Sequence, residues 1–273
     1  MKTDLKNKVV IITGASSGIG LSCAHAFAKA GSNLVLAARR YVDLCTIAQE
    51  MEKTYGIKAI AVATDVSNED SCKQLITQAL TTFGKIDILL NNAGISMRAL
   101  FTEVSLEVIR QVMDINFWGT VYCTKYALPA LIKNGGTLVG VSSIAGFQGL
   151  PGRSGYSASK FAMQGFLESI RLENMKNQLQ VLIACPGFTA SNIRKVALDA
   201  EGLPTGESGR VEANMMSSDE VATEILNAII NRKREIILTS QGKLLSLLTK
   251  FVPGFVDKMV YKTFEKESNT VVK

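Results

Sequence analysis

Short runs of consecutive apolar residues alternate along this chain with longer segments in which apolar residues recur every three or four positions. Val9 to Ile12, Leu34 to Ala38, Lys58 to Val66, Ile86 to Leu90, Thr137 to Val141, Gln180 to Cys185 and Glu235 to Leu238 are the runs. Each has the length of a strand and little polar character, as expected of strands buried on both faces. Leu21 to Lys29, Tyr41 to Lys53, Glu69 to Phe83, Leu106 to Leu131, Tyr156 to Lys176 and Asp219 to Asn231 carry the helical period. In the fifth of these, Phe161, Phe166, Leu167 and Ile170 are spaced to face a core. Strand alternating with helix predicts one α/β domain on a doubly wound parallel sheet of seven strands with right-handed crossovers. Ligands of such sheets bind beyond the carboxyl ends of the strands, so the residues that end each run matter most.

The first run leads into Thr13-Gly14-Ala15-Ser16-Ser17-Gly18-Ile19-Gly20 and then a helix. Glycines let the backbone approach a phosphate, and a helix start offers unpaired N–H groups and partial positive charge, so this stretch reads as a pyrophosphate cradle. Its spacing is Gly-x-x-x-Gly-x-Gly rather than the commoner Gly-x-Gly-x-x-Gly; a turn that merely joins strand to helix is the alternative. The second run ends in Arg39-Arg40 with no carboxylate. Guanidinium groups there suit the 2'-phosphate of NADP(H), whereas an acid would hold the 2'-hydroxyl of NAD; two solvated arginines are the plain alternative. The third run ends at Asp65 and Val66. Asp65 either meets an adenine amino group or, with Ser67 and Asn68, caps the next helix. The fourth ends in Asn91-Asn92-Ala93-Gly94, small enough for a flat ligand to come close.

The stretch from Ser143 to Lys160 carries the chemistry. In a helix, Tyr156 and Lys160 stand one above the other, so an ammonium can sit near a phenol, favour the phenolate and make Tyr156 a general acid or base. Ser143 follows a strand and is placed to hydrogen-bond a ligand oxygen. Asn116 sits inside a helical segment where asparagine is unfavourable, which invites a reason.

Composition narrows the classes. With 47% hydrophobic and 20% charged residues the chain is globular, and a net charge of +6 spread over scattered lysines and arginines suits small anionic ligands or a weak attraction to acidic surfaces better than nucleic acid. Five widely separated cysteines, Cys23, Cys45, Cys72, Cys123 and Cys185, with no Cys-x-x-Cys, indicate neither a disulfide framework nor a zinc site and fit a reducing compartment. The single histidine, His25, reads as a structural helix residue, and histidine-based triads and multi-histidine metal sites are excluded. Neither a signal-peptide core nor a membrane-spanning stretch is found, so a cytoplasmic protein is expected.

Two segments lie outside the alternation. Phe188 to Asn214 has few apolar residues and reads as a mobile loop over a ligand or a surface excursion. Beyond the catalytic and dinucleotide-binding unit, expected over 1–242, residues 243–273 form an apolar and basic extension divided by Pro253-Gly254. It packs on the protein's own body or a partner subunit, or lies on a membrane surface.

Thr13-Gly14-x-x-x-Gly18-x-Gly20, Asn91-Asn92-Ala93-Gly94, Asn116, Ser143, Tyr156-x-x-x-Lys160 and Pro186-Gly187 together resemble the short-chain dehydrogenase/reductase family in its most populated branch, over about residues 7 to 240. The resemblance implies a Rossmann-like fold and an NADP(H)-dependent carbonyl reductase. Tyr156 would exchange the proton at the substrate oxygen, Ser143 would hydrogen-bond that oxygen, and Lys160 would lower the tyrosine's pKa and hold the nicotinamide ribose. Asn116 would hold a water linked to Lys160. Gly14, Ser16, Ser17, Gly18, Ile19 and Gly20 would cradle the pyrophosphate. Arg39, with Arg40, would bind the 2'-phosphate, Asp65 and Val66 the adenine, and Asn92, Ala93 and Gly94 the adenosine ribose side. Pro186 and Gly187 would border the nicotinamide, with Thr189 or Ser191 at its carboxamide. Phe147, Leu150, Phe188 and Ile193 would put apolar surface at the pocket, favouring a lipid-like or steroid-like ketone. Family analogy also implies a homodimer or homotetramer.

Overall fold

The computed structural model describes residues 3–190, 192–206 and 215–265. Seven strands form a parallel sheet: β1 (Val9–Thr13), β2 (Asn33–Ala38), β3 (Ala59–Ala63), β4 (Ile88–Asn91), β5 (Thr137–Val141), β6 (Gln180–Cys185) and β9 (Glu235–Ile237). Their spatial order is β3-β2-β1-β4-β5-β6-β9. A two-residue pair, β7 (Thr189–Ala190) with β8 (Met216–Ser217), stands apart from the sheet.

Strand periodicity divides the core in two. Val10 and Ile12 of β1 point to one face, where Phe27 of α1 (Gly18–Lys29), Leu44 and Met51 of α2 (Tyr41–Tyr55) and Ile225 of α7 (Ser218–Ile230) pack. Val9 and Ile11 point to the other face. There they meet Leu75 of α3 (Glu69–Phe83), Leu131 of α5 (Gly119–Lys133), and Met163 and Leu167 of α6 (Ser154–Glu173). Parallel strands clad on both sides are mainly apolar, and every residue of β1, β4, β5 and β6 is buried, with polar Thr13, Asn91, Thr137 and Gln180 confined to their ends. At β1 the order turns, with β2 on one side and β4 on the other; that reversal opens a crevice at the carboxyl ends.

Several expectations are corrected. The strand expected over Lys58 to Val66 is Ala59–Ala63, which leaves Asp65 and Val66 in the turn beyond it. The helix expected over Leu106 to Leu131 is α4 (Leu106–Met113), a π-turn at Asp114–Trp118 and then α5. Phe161 is 46% exposed because it follows Lys160 by one residue, about 100° round the helix from the buried line of Lys160, Met163, Leu167 and Ile170. Residues 192–206 are not a free excursion: Leu198 bridges to Met97 and Pro204, and Asp199 accepts the N–H groups of Glu201 and Leu203. Residues 207–214 and Ser191 lie outside the described residues. Gly242 and Lys243, the expected boundary, fall inside α8 (Ser240–Phe251); α9 (Pro253–Glu265) follows, and both helices pack on the body. His25 contacts Tyr55 within the helical layer, Nδ1 to hydroxyl 3.2 Å, and all five cysteines are free.

Candidate active site

A cavity of about 760 Å³ runs along the carboxyl ends of the sheet, from Arg39 past the glycine turn and Gly94 to Ser143, Tyr156 and Lys160. Of the residues singled out from the sequence, Gly14, Ser16, Ser17, Gly18, Ile19, Arg39, Arg40, Asp65, Val66, Asn92, Ala93, Gly94, Pro186, Gly187 and Thr189 also line it. Gly20 and Asn116 do not.

Gly14 and Gly18 both have positive φ, 66° and 54°, which only glycine adopts without cost. Gly20 plays a different part. A Cβ there would fall 2.2 Å from the Gly14 carbonyl oxygen, so its hydrogen lets α1 lie against β1 rather than letting a ligand approach. Asn92 donates from Nδ2 to the carbonyls of Thr13 (2.9 Å) and Gly14 (3.3 Å), while the Thr13 hydroxyl accepts the N–H groups of Asn92 and Ala93, both at 3.0 Å. Thr13 and Asn92 therefore lock the turn to the end of β4. Sequence reasoning gave Thr13 no role beyond opening the motif.

At the far end, no carboxylate pairs with Arg39 among the described residues, whereas Arg40 pairs with Asp43 one turn along α2. Asp65 accepts from the N–H (3.0 Å) and hydroxyl (2.7 Å) of Ser67, and the α3 cap is Asn68, whose Oδ1 takes the Ser71 N–H at 2.8 Å. Of the two readings left open for Asp65, capping is thus performed by Asn68.

At the other end, Ser143 accepts the Ala145 N–H at 3.2 Å, and its hydroxyl acts on the Tyr156 phenol. Tyr156 is pushed above the ordinary phenol value by burial; the Ser143 bond and the charges of Arg153 and Arg194 oppose that push. Lys160 stands one helical turn along α6 from Tyr156. Its Nζ donates to the Val141 carbonyl at 2.9 Å and stays 5.7 Å from the Tyr156 ring centre, and burial pushes Lys160 itself down to about 8. The sequence gave no hint of Arg153 and Arg194, because one precedes the helix start and the other lies in the segment read as a loop.

Asn116 stands behind the wall. Its Oδ1 accepts the Ile95 N–H at 2.8 Å, and its Nδ2 donates to the Ile95 carbonyl and the Ser159 hydroxyl, both at 2.9 Å. Ser159 in turn donates to the Tyr156 carbonyl at 2.7 Å, so Asn116 ties the segment after Gly94 to the catalytic helix. Both hydrogens of the amide are used, and the π-turn aims it there. Ser159, fully buried between Tyr156 and Lys160, was missed. Phe147 packs in the core beneath β5 instead of at the cavity, while Leu150, Phe188 and Ile193 line it as expected.

A glycine turn at the sheet's reversal, joined by one cavity to a serine, tyrosine and lysine, is matched by the profile of the family described as short chain dehydrogenase, over residues 8–202. The chain belongs to the short-chain dehydrogenase/reductase family. Among curated members it is similar to dehydrogenase/reductase SDR family protein 7-like of Drosophila melanogaster, 34% identical over 98% of this chain and 84% of that one. Dehydrogenase/reductase SDR family member 7B of Bos taurus matches at 34%, with the same shares covered. Among solved structures, a short chain dehydrogenase/reductase from Burkholderia phymatum in complex with NAD superposes with a TM-score of 0.84, at 25% identity over 93% of this chain and 96% of that one. An alcohol dehydrogenase from the archaeon Thermococcus sibiricus, complexed with 5-hydroxy-NADP, gives 0.74 at 26% identity over 85% and 96%. As a short-chain dehydrogenase/reductase the chain is an oxidoreductase, and the cradle, the open end of β2 and the small residues at Gly94 fit a nicotinamide dinucleotide.

Proposed function

We propose that this short-chain dehydrogenase/reductase is an NADP(H)-dependent carbonyl reductase that interconverts a hydrophobic ketone and its secondary alcohol. The observation that carries this reading is one continuous cavity with Arg39 and no carboxylate at the end of β2, and Ser143, Tyr156 and Lys160 at the other end. Arg39 and Arg40 bind the 2'-phosphate; the N–H groups at the start of α1 and the turn at Gly14 to Ile19 take the pyrophosphate. Bound there, the dinucleotide supplies or accepts the hydride.

The chain's own residues handle the proton and the charge. Tyr156 gives its hydroxyl proton to the substrate oxygen during reduction and takes it back during oxidation. Ser143 holds the same oxygen by hydrogen bond. Arg153 and Arg194, whose charges act on Tyr156, favour the negative charge that develops there. Lys160, fixed to the Val141 carbonyl, holds the ribose beside Gly94. Ile144, Leu150, Phe188, Ile193 and Leu198 supply an apolar surface suited to a lipid-like or steroid-like ketone.

Fluorescence titration with NADPH and NADH, with and without Arg39→Ala, tests the cofactor. Tighter binding of NADPH, weakened at least about tenfold by the substitution while NADH is little changed, is expected. Preference for NADH would make the chain an NAD-dependent alcohol dehydrogenase instead.

A further inference from the structure

Helices α8 and α9 are apolar on two sides. On the inner side Leu245, Val256, Val260 and Phe264 are buried against Ile144 and Leu150, which line the cavity. On the outer side Leu244, Leu247 and Phe251 recur at helical spacing along α8, as do Phe255 and Met259 along α9. Phe251 is 75% and Phe255 62% exposed, so both helices show large apolar side chains to solvent next to the turn that joins them. A stripe of large apolar side chains in water marks a surface with a use.

Charge says which use. Lys243 and Lys250 flank the stripe on α8, Lys258 and Lys262 on α9, and all four are exposed. None is in an ion pair among the described residues. The carboxylates on these helices are Asp257, which accepts from Gln148 at 3.2 Å, and Glu265. A second copy docking on this face would gather the lysines of both chains against half as many carboxylates. Anionic lipid headgroups would instead accept them while the acyl boundary takes the apolar stripe. With 12 and 13 residues, the helices are shorter than the roughly 20 that cross a bilayer and of a length to lie in its plane.

We propose that the outer face of α8 and α9 docks this protein on an anionic membrane surface. Because the inner face of the same helices backs Ile144 and Leu150, docking brings the cavity wall close to the lipid. The inference holds whichever dinucleotide the chain uses.

Co-sedimentation of the full chain with vesicles of phosphatidylcholine, with and without phosphatidylserine, tests it. Wild type is expected to sediment with the mixed vesicles and much less with phosphatidylcholine alone. L247S/F251S/F255S, at exposed positions, should lose about tenfold or more of the bound fraction while keeping its thermal midpoint and dinucleotide affinity. K250E/K258E should lose the preference for phosphatidylserine. Failure of wild type to sediment, or equal sedimentation of wild type and the serine variant, would overturn the proposal. So would a wild-type dimer in sedimentation velocity that dissociates in the serine variant, which would assign the face to a second copy.

Discussion

The Nζ of Lys160 lies 5.7 Å from the centre of the Tyr156 ring, with its hydrogen bond given to the Val141 carbonyl at 2.9 Å. One helical turn brings the two residues to the same face, but burial raises the cost of charge on both: it pushes the phenol up and the ammonium down. Proton exchange at Tyr156 therefore draws on Ser143 and the arginine charges as well as on the lysine.

Replacing Tyr156 with Phe removes the transferable proton and leaves the ring in place. Turnover should fall by about 10² to 10⁴, with dinucleotide affinity changed less than about twofold. Steady-state kinetics and a fluorescence titration measure the two; a variant that keeps wild-type turnover would remove Tyr156 from the chemistry.

Lys160→Met should abolish turnover yet stabilise the fold near neutral pH. Lys160 titrates at about 8 in the folded chain, below its unfolded value of about 10.4. The unfolded chain thus binds more protons between those values, and stability rises with pH across that window. Below it, burying the charge costs about 3 kcal/mol, against about 1–2 kcal/mol for leaving the Val141 carbonyl unpaired in the variant. Denaturant unfolding should find the variant more stable at about pH 7 and less stable at about pH 10; the same order at both would contradict the assignment.

Asp87 anchors the start of β1. Burial alone would raise its carboxyl, but the Val9 N–H and the Lys85 and Lys8 ammoniums, all within 3.0 Å, outweigh that and hold it below the usual carboxylate range. Its contribution is present above the unfolded value of about 3.9 and is lost as pH falls through the lower folded value. Asp87→Asn should cost about 2–4 kcal/mol at neutral pH and flatten the acid limb of the stability profile. An unchanged acid limb would show that other carboxylates control it.

Gly20→Ala tests the division of labour among the glycines. The added methyl would meet the Gly14 carbonyl and the Asn92 amide. Thermal stability and dinucleotide affinity should fall together, the affinity by about tenfold or more, because the cradle must shift to admit the group. Full stability with only binding lost would return Gly20 to the ligand.

Much of the fold was legible because its signals are local. Seven runs of apolar residues between helical periods give a parallel sheet clad on both faces, since no other layering buries them. Gly14, Ser143, Tyr156 and Lys160 were legible because each ends a strand or shares a helix face. What the sequence alone could not decide depends on contacts between distant segments. Asn116 reaches Ile95 and Ser159 only through a π-turn, whose extra residue leaves no mark in the hydrophobic period. Gly20 and Phe147 went to packing rather than to the cavity, which depends on how α1 and β5 meet their neighbours. Only the tertiary structure brought Arg153 and Arg194 to the cavity that Tyr156 lines, and only it showed that the C-terminal helices bury one apolar side and expose the other. Periodicity tells which residues share a face; three-dimensional packing decides what that face meets.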